Sequence, residues 1–451
     1  MRIYYSAALG IHSRSRGQVR LGLASSAKPV DPSIRLYGPH LSYAVRMDVV
    51  RRRTPAPVFM VLLMPFGVSG GYVSVTLAFL LSRAGMPTAA VAAVVSLSIW
   101  PQTWKMIWAP LVDTLLNARQ WYVIGALSTG LTVLALGLVS ATRNLTVLLT
   151  VLVVISSVAS TMVSMSSELF MAHGIEDERK GAISGWSQAG NLGGAGVGGG
   201  LGLYLAQRVA APWEAAAAVG LLCIACICGL AWVDEPERGP RRPRYVESLA
   251  DVGRDVWAVM RSRLGLLAFV LMLLPIGSGG ASGVWSAIAG EWRADADIVA
   301  LVTGVLSGIA SLVGAVLAGF LCDRMDRWIA YCVFGAALGG VAVAMALLPR
   351  TPQIFSVCTL AYALVLGACY AGYSAVVLEA IGKGAAATKF NLLSAASNVP
   401  IAVMTDIDGV FHDRYGTSAM LYGEAAVALL AITGFAVLAR ATQPRRLADA
   451  A

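Results

Sequence analysis

Leu63-Met64-Pro65-Phe66-Gly67-Val68-Ser69-Gly70-Gly71 has a second copy later in the chain, Leu273-Leu274-Pro275-Ile276-Gly277-Ser278-Gly279-Gly280. Each is an apolar segment interrupted by proline and glycine. Each is followed, 48 residues after its proline, by an aspartate that opens a short polar loop: Asp113 after Pro65 and Asp323 after Pro275. A repeat with an offset of 210 residues, in a chain this apolar, reads as a membrane protein of two related halves, the organisation of solute carriers.

The surrounding composition agrees. Of 451 residues, 57% are hydrophobic and only 13% charged, and the mean hydropathy is +0.71. Soluble domains carry about 25% charged residues. Apolar stretches long enough to cross a bilayer recur throughout. Twelve spans are expected, at 57–82, 86–108, 121–142, 145–168, 181–207, 213–233, 264–290, 298–321, 328–349, 352–378, 387–408 and 418–439. The second, eleventh and twelfth carry the weakest signal, because Lys105, Lys389 and Glu424 lie in or near them. The fold class is therefore an all-α polytopic membrane protein of twelve transmembrane helices in two six-helix halves.

The cations set an orientation. With the N-terminus in the cytoplasm, the inner loops hold Arg119, Arg179, Lys180, Arg324, Arg327, Lys383 and a run from Arg238 to Arg263. The outer loops then hold isolated cations: Arg83, Arg143, Arg208, Arg293, Arg350 and Arg414. This is the positive-inside pattern, with both termini cytoplasmic. The net charge of +9 is thus a topology signal and does not imply a nucleic-acid partner, since no basic stripe marks a soluble module.

Domain boundaries follow from composition. Residues 1–56 form a polar, arginine- and serine-dotted tail, read as disordered or as an over-long start with Met47 as the true initiator. Its lack of an apolar core argues against a signal peptide. Residues 57–233 and 263–440 make the two halves, 234–262 a linker, and 441–451 a tail. Within the linker, Val246, Leu249, Val252, Val256 and Val259 share one helical face, as in a short amphipathic helix at the membrane surface.

Several chemistries are excluded. Cys223, Cys226 and Cys228 have no histidine or carboxylate beside them, and Cys322, Cys332, Cys358 and Cys369 are dispersed in or beside spans, so all seven read as small apolar residues. His12, His40, His173 and His412 give no ligand spacing, and no metal or cofactor is expected. The glycine run after Gly190 follows no strand, and no phosphate-binding Gly-Lys-Ser/Thr loop exists. Asn144-Leu145-Thr146 is a formal glycosylation sequon of a kind common by chance. No Ser-His-Asp set is readable and no catalytic residue is assigned; a polytopic membrane enzyme would need such a cluster at one membrane face.

Family likeness is carried by four stretches. They are Leu63-Met64-Pro65-Phe66-Gly67, Trp104-Lys105-Met106-Ile107-Trp108-Ala109-Pro110-Leu111-Val112-Asp113, Glu178-Arg179-Lys180-Gly181 with Gly185-Trp186, and Ala387-Thr388-Lys389-Phe390-Asn391-Leu392-Leu393-Ser394. The chain resembles the major facilitator superfamily, in its AmpG-like branch of peptide–acetyl-CoA transporters, and is similar to single-component siderophore permeases. The resemblance implies alternating-access import of a polar, peptide-like or siderophore-like solute across a bacterial inner membrane. Drug or metabolite efflux is the alternative within transport. The chain departs from the branch at Ser164, where relatives often carry aspartate, and at Thr114, where they carry arginine soon after the aspartate. The superfamily's loop signature is intact only in the second half, as Gly319-Phe320-Leu321-Cys322-Asp323-Arg324-Met325-Asp326-Arg327.

Candidate site residues come from charge at membrane depth, which is expensive and therefore paired, cavity-facing or titrating. Glu168 and Glu379, 211 residues apart and so nearly repeat-related, are proton-carrier candidates, or alternatively anchors to loop arginines. Lys105, between Trp104 and Trp108, either draws an anionic solute or snorkels to the interface; Lys389 is equally ambiguous. Gln188, Asn191, Asn391 and Asn398 offer amides to a polar solute, with Ser187, Ser394 and Ser397 alongside, whereas the glycines of span five read as packing. Asp113, Asp323, Arg324 and Arg327 make a gating latch or a topology anchor, and Pro65 and Pro275 are the expected helix breaks. The partners are then a small solute, protons as coupling ion and the bilayer, with the chain acting as a monomer.

Overall fold

A computed structural model describes residues 54–139, 146–172, 180–235, 245–322, 324–381 and 386–441. Helices occupy all twelve expected positions. In the first half, span 1 is Val58–Arg83, span 2 Thr88–Thr114, span 3 Ala118–Val139, span 4 Thr146–Ala172, span 5 residues 180–206 and span 6 Pro212–Trp232. A linker helix, Tyr245–Arg261, follows. In the second half, span 7 starts as Arg263–Leu273 and ends in short turns to Trp292. Spans 8 to 12 are Ala296–Cys322, Arg327–Leu347, Pro352–Ile381, Ala386–Tyr415 and Thr417–Ala441.

Among the described residues, eight of these helices are long and apolar enough to cross a membrane unaided; spans 2, 5, 7 and 11 are not among them. Three of these four owe their polarity to protein neighbours. Span 2 packs along span 11, its most extensive partner, and span 5 packs on span 1 and meets span 8. A helix covered by protein can carry polar groups and glycine that a lipid-facing helix cannot. Span 12, expected to be weak, is among the eight, and its Glu424 is turned inward.

Local chemistry sets the helix ends. Pro212 starts span 6 after an extended Ala211. Ser262, Asp295 and Asp326 cap the starts of spans 7, 8 and 9 through Gly265, Ile298, and Trp328 and Ile329 respectively.

The two copies of the founding motif fold differently. Pro65 lies inside a continuous helix, which runs into a π-helical turn at Tyr72–Leu77. It is not a break. After Pro65 the chain is clamped: a Cβ on Gly67 would sit 1.9 Å from the Asn191 carbonyl oxygen, and one on Gly71 2.1 Å from that of Ala195. Glycines 190, 194 and 198 of span 5 face span 1 as closely, within 2.3 Å of the Met60, Met64 and Val68 carbonyls. Pro275 does end its helix. Leu274 is extended, and Gly277 and Gly279 take φ of 67° and 69°, which no right-handed helix continues through.

The halves meet most closely at the end of the bundle remote from the linker, hereafter the far end. π-helical turns in spans 1, 5 and 8 touch one another there. Gly304 approaches so near Gly200 that a Cβ would lie 2.4 Å from its Cα.

Candidate functional site

Lys105 and Glu168 come together. Lys105 Nζ of span 2 lies 3.9 Å from Glu168 Oε1 of span 4, with side chains 14% and 35% exposed. Ser164, one turn earlier, donates to the same carboxylate at 2.9 Å. Trp108 Nε1 donates to Thr161 of span 4 at 3.3 Å, fixing the register of the two helices beside the pair. Trp104, the other flanking tryptophan, is exposed. A cation and an anion thus share one partly open position toward the linker end.

Glu379 is held differently. Trp328 Nε1 donates to it at 3.2 Å and Arg327 lies 3.6 Å away, and its side chain is 39% exposed. It ties the loop before span 9 to the end of span 10, the anchoring alternative. Arg327 is thereby engaged with a glutamate of its own half; Arg324 is exposed. Asp323 lies outside the described residues. Asp113 ends span 2, and Lys389 and Asn391 lie on span 11, but their side chains fall outside the described part. Asn398 donates to the Ser394 carbonyl of its own helix at 3.0 Å. Gln188 is exposed and Asn191 half-buried. A cavity of about 530 Å³ lies between spans 8, 9 and 10 at the linker end, with Arg327 and Ser374 as its polar lining.

Sequence reasoning gave no role to three acids, of which it had noted only Glu424, as a charge in span 12. Asp406 Oδ1 accepts from Ser96 of span 2 at 2.7 Å. Asp408 and Glu424 are 1% and 6% exposed, deep in the second half. Glu424 takes hydrogen bonds from Tyr362 and from the Ala281 N–H. Its signal was available: Glu214, at the start of span 6, stands 210 residues earlier, the repeat offset itself.

Polar contacts between the halves gather toward the far end. Asp413 accepts from the N–H groups of Thr88 and Ala89 at 3.1 and 2.7 Å, capping span 2 from span 11. Ser82 donates to the Ala287 carbonyl at 2.7 Å, and Arg208 pairs with Asp297 at 2.9 Å. Beside Asp413, His412 Nε2 lies 2.5 Å from Glu291, which also meets Thr417 and Arg350. Burial pushes the Glu291 carboxyl up, but hydrogen bonds from His412 and Thr417 and the charges of His412 and Arg350 outweigh it and hold the group below the usual carboxylate range. Burial pulls the His412 imidazole down, but its bonds to Glu291 and Asp413 raise it above the ordinary histidine value. Asp413 is lowered: the Ala89 N–H and His412 outweigh its burial.

An all-helical bundle with most spans apolar enough to cross a membrane, one repeat copy broken and the other continuous, and charge placed between spans has the build of a membrane transport protein. Residues 57–403 match the Major Facilitator Superfamily, and the chain belongs to that family. It is 24% identical over 336 residues to the anhydromuropeptide permease of Escherichia coli strain K12, covering 72% of this chain and 68% of that protein. The fold matches the xylose transporter XylE from E. coli in a partially occluded inward-open conformation, with a TM-score of 0.65, 13% identity, and 89% and 100% of the two chains covered. It also matches the nucleoside transporter NupG, with a TM-score of 0.65, 11% identity, and 86% and 99% covered. A transporter of the POT family in complex with a thioalcohol-conjugated peptide gives 0.64, 11%, and 86% and 96%. These relatives are permeases, and the chain is a transporter rather than an enzyme.

Proposed function

We propose that this chain imports a polar, peptide-like solute of the cell-wall-fragment class into the bacterial cytoplasm, driven by protons. The observation that carries the reading is the Lys105–Glu168 pair, a cation and an anion placed together beside tryptophans, suited to a solute that bears both carboxylate and amine. The likeness to a permease of anhydromuropeptides supports the same class. Ser164 in place of an acid leaves this site less negative than the related pattern, which favours a solute with net negative charge.

With the linker in the cytoplasm, the far end faces outward, and the interhalf bonds there describe a state closed to the outside. The molecule acts as a monomer in the inner membrane, its halves rocking about the solute. Glu168 is the first-half carboxylate that meets the solute, because it is partly open and shares its position with Lys105; Glu379 anchors a loop.

The test is uptake into proteoliposomes under an inward proton gradient, with anhydromuropeptide, iron-loaded siderophore and a cationic drug as separate probes. Accumulation of anhydromuropeptide, reduced in Glu168→Gln and in Lys105→Ala, supports the proposal. Expulsion of the cationic drug with no peptide uptake overturns it in favour of efflux.

A further inference from the structure

Where span 7 breaks, Gly280 and Ala281 are flanked by two acids. A Cβ on Gly280 would lie 2.8 Å from Asp408 Oδ2 of span 11, and the Ala281 N–H donates to Glu424 Oε1 of span 12 at 3.3 Å. From span 10, Tyr362 donates its hydroxyl to the same Glu424 oxygen, and Trp285 packs edge-on against the Tyr362 ring with centroids 5.3 Å apart. Span 7 contributes no ionisable group between Ile276 and Ile288. Among the described residues, no lysine, arginine or histidine forms an ion pair with either acid. Asp408 Oδ2 and Glu424 Oε2 are buried without a hydrogen-bond partner, as are Thr359 Oγ1 on span 10 and Trp285 Nε1 and Ser286 Oγ on span 7.

Two buried carboxylates that share one site and lack a cation cannot both stay charged; a proton between them removes the conflict. His412 lies one helical turn after Asp408 on the same face of span 11, and Thr417 lies two turns before Glu424 on span 12, both nearer the far end. Both meet Glu291 at the far end, so the same two helices that carry the acids also carry His412 and Thr417 at that surface.

We propose that Asp408 and Glu424 form the binding site for the coupling proton, loaded from the far end through His412 and Glu291 and released when span 7 moves at its Gly277–Gly280 break. This rests on the proton-driven transport reading above and places the coupling group in the second half, apart from the Lys105–Glu168 position that meets the solute.

The proton can be seen without any solute. Infrared difference spectra of the purified full chain in proteoliposomes, between alkaline and acidic pH, should show the C=O stretch of a protonated carboxylic acid. The band should disappear in Asp408→Asn and in Glu424→Gln and persist in Glu379→Gln. Its absence from the wild type, its persistence in both variants, or its loss on adding sodium chloride in place of choline chloride overturns the assignment. The second arm uses anhydromuropeptide: Glu424→Gln should lose accumulation driven by a pH gradient while retaining exchange of labelled for unlabelled solute. Loss of exchange as well overturns the coupling role. If wild type moves no anhydromuropeptide but the infrared band behaves as expected, the solute reading fails and the proton site stands.

Discussion

Replacing Asp413 by alanine should open the far end. The carboxylate bridges the halves by capping span 2, with both oxygens on backbone N–H groups, at 3.1 Å to Thr88 and 2.7 Å to Ala89. An N-cap of this kind is worth about 0.5–2 kcal/mol when replaced by alanine. The cap joins two elements that separate when the far side opens, so its whole value acts on the closed state alone. At about 1.4 kcal/mol per factor of ten, the loss shifts the equilibrium toward the open form by roughly 2- to 30-fold. Asparagine keeps one acceptor oxygen for the two N–H groups, so Asp413→Asn should shift it by less than alanine does but not leave it unchanged. Hydrogen–deuterium exchange in lipid nanodiscs reads this directly, since backbone amides at the start of span 2 exchange through the opening. Peptides covering 88–96 should exchange faster by that factor in Asp413→Ala and by a smaller factor in Asp413→Asn, which keeps one of the two bonds. Equal acceleration in the two variants, or none in alanine, would refute a capping latch.

Three further outcomes follow from the same geometry. Gly194→Val should lower the unfolding temperature, because its Cβ would meet the Met64 carbonyl oxygen at 2.3 Å, a backbone atom that cannot turn aside; overpacking of this sort costs about 1–3 kcal/mol. Gly193→Ala, with nothing within 4 Å, is the control and should leave the melt unchanged. Lys105→Ala should cost only about 0.2–1 kcal/mol of stability, as expected for a partly solvated pair at 3.9 Å, while uptake falls sharply; a large drop in the melting temperature would make the pair structural. The His412 network should be pH-dependent with a definite sign. His412 is raised, so its contribution is complete below the ordinary imidazole value and lost as pH rises through the raised one. Glu291 and Asp413 are lowered, so theirs is complete above the ordinary carboxylate value and lost as pH falls through the lowered ones. Melting temperature should therefore peak in mildly acidic buffer, and His412→Gln should abolish the decline on the alkaline side.

Much of this was legible in the chain, and what was not has a common cause. The repeat of Pro65 and Pro275 gives two halves, and the glycines at 190, 194 and 198 gave the packing of span 5, because both depend on local text and period. Lys105 and Glu168 were each visible as charges at depth, but their pairing depends on how spans 2 and 4 are rotated about their axes, which no single-helix pattern records. Glu379 was visible too, and its anchoring depends on an arginine 52 residues away. Asp408 drew no assignment, because the expected span 11 ends at it; the helix in fact continues to Tyr415 and carries it inward. Asp326 caps the start of span 9 through the backbone N–H groups of Trp328 and Ile329, a contact that the latch reading of this loop did not include.

The difference between the two proline motifs has a functional consequence. If both halves broke at their proline, the repeat would place equivalent flexible joints on either side of the solute. Instead span 1 is clamped through Gly67 and Gly71 to span 5, and only span 7 leaves the helical path, at Leu274 to Gly279. The free joint therefore lies in the half that also holds the buried Asp408 and Glu424, whose contacts are with the joint itself. Neutralising or charging that pair changes what Gly280 and Ala281 touch, whereas the same event at Glu168 would act on two unbroken helices. Coupling of a proton to a conformational change requires differential contact in the two states, and in this fold the second half is where that difference can arise. Gly279→Ala, at φ 69° with the Leu366 side chain 2.6 Å from its Cβ, should accordingly impair proton-driven accumulation far more than Gly70→Ala, which has open space around it in the clamped helix. Equal impairment by the two substitutions would place the moving joint elsewhere.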